Sequence, residues 1–246
     1  MSNNPFEEFE NSLSVKVAES ATELDTLQIE AIEREQRWKK RRIGKITSSN
    51  LDKLMNFSKD GRIKTKAGID YLLEIKHQLE TGCESEYVSA TAMRWGSNYE
   101  QEAHEYYRKE TGIDMVSGTT GFGEILFVDD IVKGFGDSPD GKSTDGIVEY
   151  KCPYNGANHL RNCALNMYSD SEDYFWQCIG HMIDPRVQWC DFVSYDPRYP
   201  DGHINKMKII RINRVDVAGK ITQLEEKLKL WIEVLNKGNL IDIFSL

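Results

Sequence analysis

The sequence contains no long apolar run and no pattern of a secretory signal. No stretch of its 246 residues approaches the roughly eighteen consecutive apolar residues that a bilayer-spanning helix needs. Residues 1–10 are acidic and lack the basic-then-apolar order of a signal peptide. We therefore expect a soluble intracellular protein with no membrane partner.

Cysteine is sparse and scattered. The five cysteines are odd in number and include no Cys-x-x-Cys pair. This pattern argues against a disulfide framework, a zinc site and an iron–sulfur cluster. We interpret the cysteines as small buried or partly exposed thiols.

An excess of positive charge is also lacking. Lys and Arg number 31 against 40 Asp and Glu, which gives a formal net charge of −9. An acidic average argues mildly against a nucleic-acid partner, but binding depends on a local basic patch rather than on the average. One stretch supplies such a patch, because seven of the twelve residues from Arg34 to Lys45 are basic and Trp38 lies among them. Any contact with nucleic acid is therefore expected to be localised.

Size and pattern indicate one globular domain of mixed fold. The chain is 39% hydrophobic and 29% charged, which is ample for a buried core. We interpret residues 1–25 as an acidic N-terminal arm and residues 26–246 as a single domain. Periodicity predicts helices at 26–41, 65–80, 90–111, 174–183 and 215–236, strands at 147–151, 188–195 and 206–212, and two β-type runs on either side of Asp129 and Asp130. This order predicts an α/β (α+β) fold in which helices flank a central mixed β-sheet.

The stretch from Gly134 to Pro153 contains several residues that could take part in catalysis. Two Asp-Gly turns, the first at Asp140, precede a run at 147–151 in which apolar and charged residues alternate. Alternation at period two predicts a half-buried strand with Glu149 and Lys151 on one face. Two acids and a lysine are therefore expected to converge.

This convergence suits a metal-dependent reaction on a phosphate. Carboxylates from Asp140 and Glu149 on neighbouring strands make an oxygen-rich site of the kind that Mg²⁺ accepts. Lys151 can orient or deprotonate the attacking water while its charge faces the phosphate, which suits phosphodiester hydrolysis. An isolated Glu-x-Lys pair, however, is more often the solvated face of an ordinary hairpin, so the pattern alone leaves both interpretations open.

The basic stretch leads into a second candidate site. Residues 43–55 are typical of a short extended piece, a hydroxyl-rich cap and a new helix, with Ser48 or Ser49 as the N-cap. A helix N-terminus beside a row of arginines is a site for a phosphate. The alternative is a capped helix next to a solvated basic face.

Six motifs in order resemble the phage lambda exonuclease family, the YqaJ-type viral recombinases of the PD-(D/E)xK nuclease superfamily. The match spans about residues 38–200. Each motif alone is weak, whereas the ordered set is specific. The motifs are Trp38 with Arg42-Ile43-Gly44 and Ile46-Thr47-x-Ser49, then Trp95-Gly96-x-x-Tyr99-Glu100, Ser138-Pro139-Asp140-Gly141, Glu149-x-Lys151-Cys152-Pro153, Gln177 and Tyr195-Asp196-Pro197-Arg198.

The resemblance implies a fold and an activity. The fold is a restriction-endonuclease-like core, and the activity is a deoxyribonuclease that uses a pair of Mg²⁺ ions, for which Mn²⁺ can substitute. Such an enzyme digests one strand of linear double-stranded DNA in the 5′-to-3′ direction, releases 5′-mononucleotides and leaves a 3′ overhang for a single-strand annealing recombinase. The resemblance also implies a homotrimer that encircles DNA. Its expected location is the bacterial cytoplasm, as a phage or prophage protein, or the nucleus or cytosol if the source is a eukaryotic virus.

The resemblance further assigns roles to single residues. It implies that Asp140, Glu149 and the Tyr150 carbonyl hold Mg²⁺ and that Lys151 activates the attacking water. The residues that complete the site or match a further acidic position are Glu100, Gln177 and Asp130, and those that grip the 5′-terminal phosphate are Arg42, Ser49 and Ser138. Without the resemblance, Glu100 is interpreted as a solvated helix residue and Asp130 as a turn residue.

The sequence leaves two roles open, that of the Gln177–His181 pair and that of Asp137. Gln177 and His181 are i,i+4 neighbours on a predicted helix, where they serve simple hydrogen bonding or touch a phosphate or the water on a metal. Asp137 stands where an uncharged residue would crowd the metal less, so it either raises metal affinity or lies outside the metal site.

Two rival functions fit the same core. One is an endonuclease of restriction type or a repair nuclease, and the other is a non-enzymatic DNA-end-binding protein. The complete set of Asp140, Glu149 and Lys151 weighs against the second, because a binding protein needs no such set.

Overall fold

A computed structural model describes residues 29–30, 32–83, 91–118, 131–169 and 174–246, with backbone only for 91–94. The arm predicted over 1–25 and the β-type runs around Asp129 and Asp130 lie outside the described residues. The division of the chain into an arm and one domain therefore stays a prediction.

Within the described residues, the helices and strands that the sequence predicts occur in the predicted order, and further short elements lie between them. No helix in these ranges combines the length and the apolarity needed to cross a membrane. In chain order the elements are α1 (32–42), β1 (Ile46–Thr47), α2 (Leu51–Leu54), α3 (Lys66–Thr81), α4 (Thr91–Thr111), β2 (Val116–Ser117), β3 (Phe135–Gly136), β4 (Gly141–Lys142), β5 (Gly146–Lys151), α5 (Gly156–Cys163), α6 (Phe175–His181), β6 (Trp189–Tyr195), β7 (Met207–Asn213), α7 (Ala218–Lys237) and α8 (Leu240–Phe244).

The main sheet is mixed and has the strand order β2-β4-β5-β6-β7. Strands β5 and β6 run parallel, with Glu149 opposite Phe192, while the other neighbours are antiparallel. A separate parallel pair joins β1 to β3. The predicted fold class, a central mixed sheet flanked by helices, is confirmed.

Strand β5 is buried on both faces, so the prediction of a half-buried strand was wrong. Ile147 packs in the large core with residues of α3, α6 and α7. Val148 and Tyr150, on the opposite face, pack in a second core with Tyr107 of α4. Period-two alternation assigned the face of Glu149 and Lys151 to solvent, but α6 covers it, since Gln177 and His181 of α6 contact Glu149. The site residues on β5 are therefore buried as well.

Two local details also differ from the sequence prediction. Ser48 and Ser49 lie in a 3₁₀ turn (Ser48–Asn50), and neither Thr47 nor Asn50 caps a helix through its side chain. Helix α5 falls in the stretch 154–173, for which no element was predicted. Its N-cap is Asn155, whose Oδ1 accepts from the backbone N–H of Ala157 at 2.9 Å.

The start of β5 depends on a glycine. Gly146 lies opposite Trp189 of β6, and a Cβ there would approach the indole ring atoms to 2.0 Å. We expect Gly146→Ala to lower the free energy of unfolding by about 1–3 kcal/mol, the usual cost of overpacking. Urea denaturation measures the change.

Gly219 of α7 provides the matched control, because no atom outside its own helix turn lies within 4 Å of the Cβ position. Gly219→Ala should leave stability unchanged or raise it by up to about 1 kcal/mol through helix propensity. Equal unfolding midpoints for Gly146→Ala and the unmutated chain would contradict the packing described for Trp189.

Candidate active site

The two predicted acids meet across the β4–β5 hairpin. Gly141 pairs with Val148, so Asp140 stands opposite Glu149 at the end of the hairpin. Its Oδ2 accepts from the backbone N–H of Tyr150 at 2.7 Å. Both carboxyl groups are buried, with relative exposures of 9% for Asp140 and 2% for Glu149. The hairpin therefore holds two carboxylates side by side away from bulk solvent.

Glu149 is held from three directions. Its Oε1 accepts from Lys151 Nζ at 2.5 Å and from Gln177 Nε2 at 2.6 Å. Its Oε2 lies 3.1 Å from Nε2 of His181. The Lys151 ammonium also lies 5.0 Å from the centroid of the Tyr174 ring. Helix α6 thus supplies two of the three groups that fix this carboxylate.

The electrostatics of the site favour a cation. Burial raises the pKa of Asp140, and the charges of Glu149 and Glu100 raise it further. Burial would also raise the pKa of Glu149, but Lys151 and His181 outweigh burial and hold it at about 2. Burial would lower the pKa of Lys151, but the carboxylates of Glu149 and Asp140 outweigh it, so Lys151 is charged at neutral pH. The site therefore carries more buried acid than its own lysine neutralises.

A divalent cation fits this donor set. Asp140 and Glu149 supply hard oxygen ligands, and Tyr150 adds a backbone carbonyl between Glu149 and Lys151 in sequence. Within the described ranges, no three His, Cys, Asp or Glu side chains form a group that could hold a metal. The side chains would therefore supply one or two ligands and water the rest, as is usual for Mg²⁺.

Three hydroxyl groups surround Arg42 in a cluster that is called the anion pocket, or the Arg42 pocket, below. Arg42 of α1 donates from Nη1 to Ser138 Oγ and from Nη2 to Ser49 Oγ, both at 3.0 Å. Thr47 Oγ1 accepts from the same Nη2 at 3.1 Å, and Trp38 Nε1 donates to Ser138 Oγ at 3.0 Å. A planar guanidinium ringed by hydroxyls is suited to a phosphate. The structure thus brings together the three residues assigned to the 5′-phosphate.

Between the carboxylates and this pocket lie two residues whose roles the sequence left open. Asp137 Oδ1 accepts from Ser48 Oγ and lies 2.8 Å from Nδ1 of His181. Burial would lower the pKa of His181, but Asp137 and Glu149 outweigh burial and raise it well above the usual value. The ring is therefore a buried cation between two acids. The i,i+4 spacing from Gln177 indicated that His181 shares its face, but no sequence signal pointed to Asp137 as its partner.

Of the two remaining predicted residues, the structure describes Glu100 but not Asp130. Glu100 lies on α4, is half-buried, and its charge raises the pKa of both Asp140 and Cys152, so it borders the site. Asp130 falls outside the described residues.

Residues 37–183 match the YqaJ-like viral recombinase domain, a span longer than half of the chain. The chain belongs to this family. No curated protein matches the sequence.

Solved structures extend the comparison with the YqaJ family. An alkaline exonuclease (LHK-Exo) from Laribacter hongkongensis is 28% identical, with a TM-score of 0.61, and the alignment covers 82% of this chain and 96% of that one. The same protein in complex with dAMP matches with a TM-score of 0.58. A phage-related exonuclease from Haemophilus somnus 129PT, 14% identical at a TM-score of 0.57, covers 82% and 95% and shows the fold alone. The resemblance, the restriction-endonuclease-like core and the assignment as a deoxyribonuclease are confirmed.

Proposed function

We propose that this YqaJ-family chain is an exonuclease that digests one strand of linear double-stranded DNA in the 5′-to-3′ direction. It releases 5′-mononucleotides and leaves a 3′ overhang for a single-strand annealing recombinase. The observation that carries the proposal is the connection of two sites: hydrogen bonds from Ser48 through Asp137 and His181 join an anion pocket to Glu149. An enzyme that starts at a phosphorylated end needs both sites at a fixed separation.

In the hydrolytic site, Asp140, Glu149 and the Tyr150 carbonyl would hold a divalent cation, Mg²⁺ or in its place Mn²⁺, with two ions for each active site. A bound ion supplies charge neutralisation and Lewis acidity at the scissile phosphate. Lys151, held 2.5 Å from Glu149, donates hydrogen bonds and is placed to orient the attacking water. Glu100, Asp130 and Gln177 complete the site, and Gln177 does so by fixing Glu149.

The anion pocket would receive the end of the DNA strand. Arg42 provides a fork of two N–H groups, and Ser49 and Ser138 provide hydroxyls that can turn from Arg42 to a phosphate. A pocket that binds a 5′-terminal phosphate makes digestion start at the 5′ end, which gives the reaction its 5′-to-3′ direction. The complex of the 28% identical LHK-Exo with dAMP, a deoxynucleoside monophosphate, supports release of mononucleotides.

Assembly and location complete the proposal. A homotrimer that encircles DNA would let a chain with a net charge of −9 stay on its substrate, because the ring rather than overall charge retains the duplex. The setting would be phage or prophage recombination in a bacterial cytoplasm, or the nucleus or cytosol of a eukaryotic host.

A covalently closed circular duplex separates this function from that of an endonuclease. With Mg²⁺ present, the protein should digest a linear duplex and leave the closed circle of the same sequence intact, because a closed circle offers no end for the Arg42 pocket. Agarose gels of both substrates make the comparison, and Asp140→Ala controls for contaminating nucleases. Nicking of the circle by the unmutated chain, absent with Asp140→Ala, would establish an endonuclease instead.

A further inference from the structure

A continuous path of buried polar groups runs from the anion pocket to the hydrolytic site. It begins at Ser48, which lies between Thr47 and Ser49, the two hydroxyl residues that accept from Arg42. Ser48 donates to Asp137, which directly precedes Ser138, another acceptor of Arg42. Ser48 and Asp137 are thus each adjacent in the chain to a residue of the anion pocket.

His181 continues the path to Glu149. Its Nδ1 lies 2.8 Å from Asp137 Oδ1 and its Nε2 lies 3.1 Å from Glu149 Oε2. Because carboxylate oxygens only accept, both ring nitrogens donate, and the one ring holds two acids in opposite directions. Asn, Gln and neutral side chains of similar size cannot donate along both directions at once.

The path is closely packed and shielded from water. Ser48, Asp137, His181 and Glu149 have relative exposures of 3%, 5%, 1% and 2%. Helix α6 lies directly against the Ser48 turn, since a Cβ on Gly180 would approach the Ser48 Cβ to 2.8 Å. Hydrogen bonds in such an environment are strengthened, and water cannot substitute for a lost donor.

We propose that His181 is a positioning residue that couples phosphate occupancy of the Arg42 pocket to the orientation of the Glu149 carboxylate. The proposal rests on the proposed function and adds a regulation of the same site. A phosphate that draws the Ser49 and Ser138 hydroxyls away from Arg42 displaces the backbone that carries Ser48 and Asp137. The displacement reaches Glu149 through the imidazole, so a bound 5′-phosphate raises the rate of hydrolysis as well as binding the end.

Two substitutions at His181 separate the two halves of the path. The amide nitrogen of glutamine falls near the position of Nε2, so His181→Gln keeps a donor toward Glu149 and removes the one toward Asp137. The amide nitrogen of asparagine falls near Nδ1, so His181→Asn does the reverse. Ser48→Ala breaks the far end of the path with loss of a single oxygen atom.

The readout is the ratio of single-turnover rates on 5′-phosphorylated and 5′-hydroxyl duplex ends at saturating DNA. His181→Gln and Ser48→Ala should lower this ratio about tenfold to hundredfold, the effect of one hydrogen bond to a charged group. His181→Asn cuts the path at Glu149, so it should lower the ratio as well, and it should also slow both substrates because Glu149 loses a donor whichever end is bound. A ratio for His181→Gln and Ser48→Ala equal to that of the unmutated chain would overturn the coupling; if His181→Gln does not fold, Ser48→Ala decides.

His159 is the matched control, because it is equally buried and bonds Ser194 Oγ at 2.9 Å and the Asn205 carbonyl at 2.6 Å, neither of which belongs to this path. His159→Asn should keep the ratio, and an equal fall would show that loss of any buried histidine suffices.

The two proposals fail differently. No nucleotide release by the unmutated chain would refute the proposed function, whereas release with an unchanged ratio in the variants would refute only the coupling.

Discussion

Lys151→Ala is expected to release nucleotides about a hundred to ten thousand times more slowly than the unmutated chain, the range for loss of a group that handles the reacting proton. Lys151 donates to Glu149 at 2.5 Å and is the ammonium that offsets the charges of Glu149 and Asp140. Its loss leaves the attacking water without this donor and Glu149 free to turn. DNA binding should persist, because the Arg42 pocket is untouched. Single-turnover nucleotide release and gel shifts measure the two properties.

Lys142→Ala is the control for this prediction. Lys142 lies on the adjacent strand β4, is 26% exposed against 24% for Lys151, and also pairs with a buried acid, Asp184 at 3.5 Å. The removal of Lys142 should therefore alter the charge of the hairpin by the same amount without changing the rate of cleavage. Full cleavage by Lys151→Ala, or an equal loss in both variants, would refute the role assigned to Lys151.

Arg42→Ala is expected to slow digestion of 5′-phosphorylated ends about tenfold to hundredfold, as for loss of a charge-assisted hydrogen bond. Digestion of 5′-hydroxyl ends should slow much less, because Arg42 reaches Ser49 and Ser138 in the pocket rather than the hairpin acids. Rates on matched duplexes that differ only in the terminal phosphate give the comparison.

Arg37, on the same helix, serves as the reference for a general backbone contact. It is exposed and pairs with Glu33 at 3.8 Å. Arg37→Ala should affect the two kinds of end equally. If Arg42→Ala also slows both ends equally, then Arg42 is a general contact to DNA and the pocket does not recognise the end.

The hydrolytic half of the site could be predicted from the sequence because it is local. Asp140 and Glu149 belong to one hairpin, and its two Asp-Gly turns and alternating run fix their pairing. The contact between Arg42 and Ser138 spans 96 residues, and only the family resemblance could bring these two residues together in advance. The local sequence pattern therefore predicted the two acids, and the family resemblance predicted the Arg42 pocket.

What could not be predicted depends on tertiary packing. The burial of β5 on both faces follows from where α6 docks over Glu149, which the alternation of β5 does not encode. The Asp137–His181 contact spans 44 residues and involves an acid for which no sequence signal indicated a partner. Helix α5 has little apolar periodicity, since its buried residues are His159 and Asn162, and the Asn155 cap was its one usable signal.

The most direct test uses a linear duplex labelled separately at each 5′ and each 3′ end, incubated with Mg²⁺ or with a chelator. Entry through the Arg42 pocket and cleavage at Asp140 and Glu149 predict that 5′ labels appear first as mononucleotides while 3′ labels remain in single-stranded DNA. With the chelator, no label should be released. Early release of the 3′ labels, or release of either label without divalent metal, would contradict the assignment.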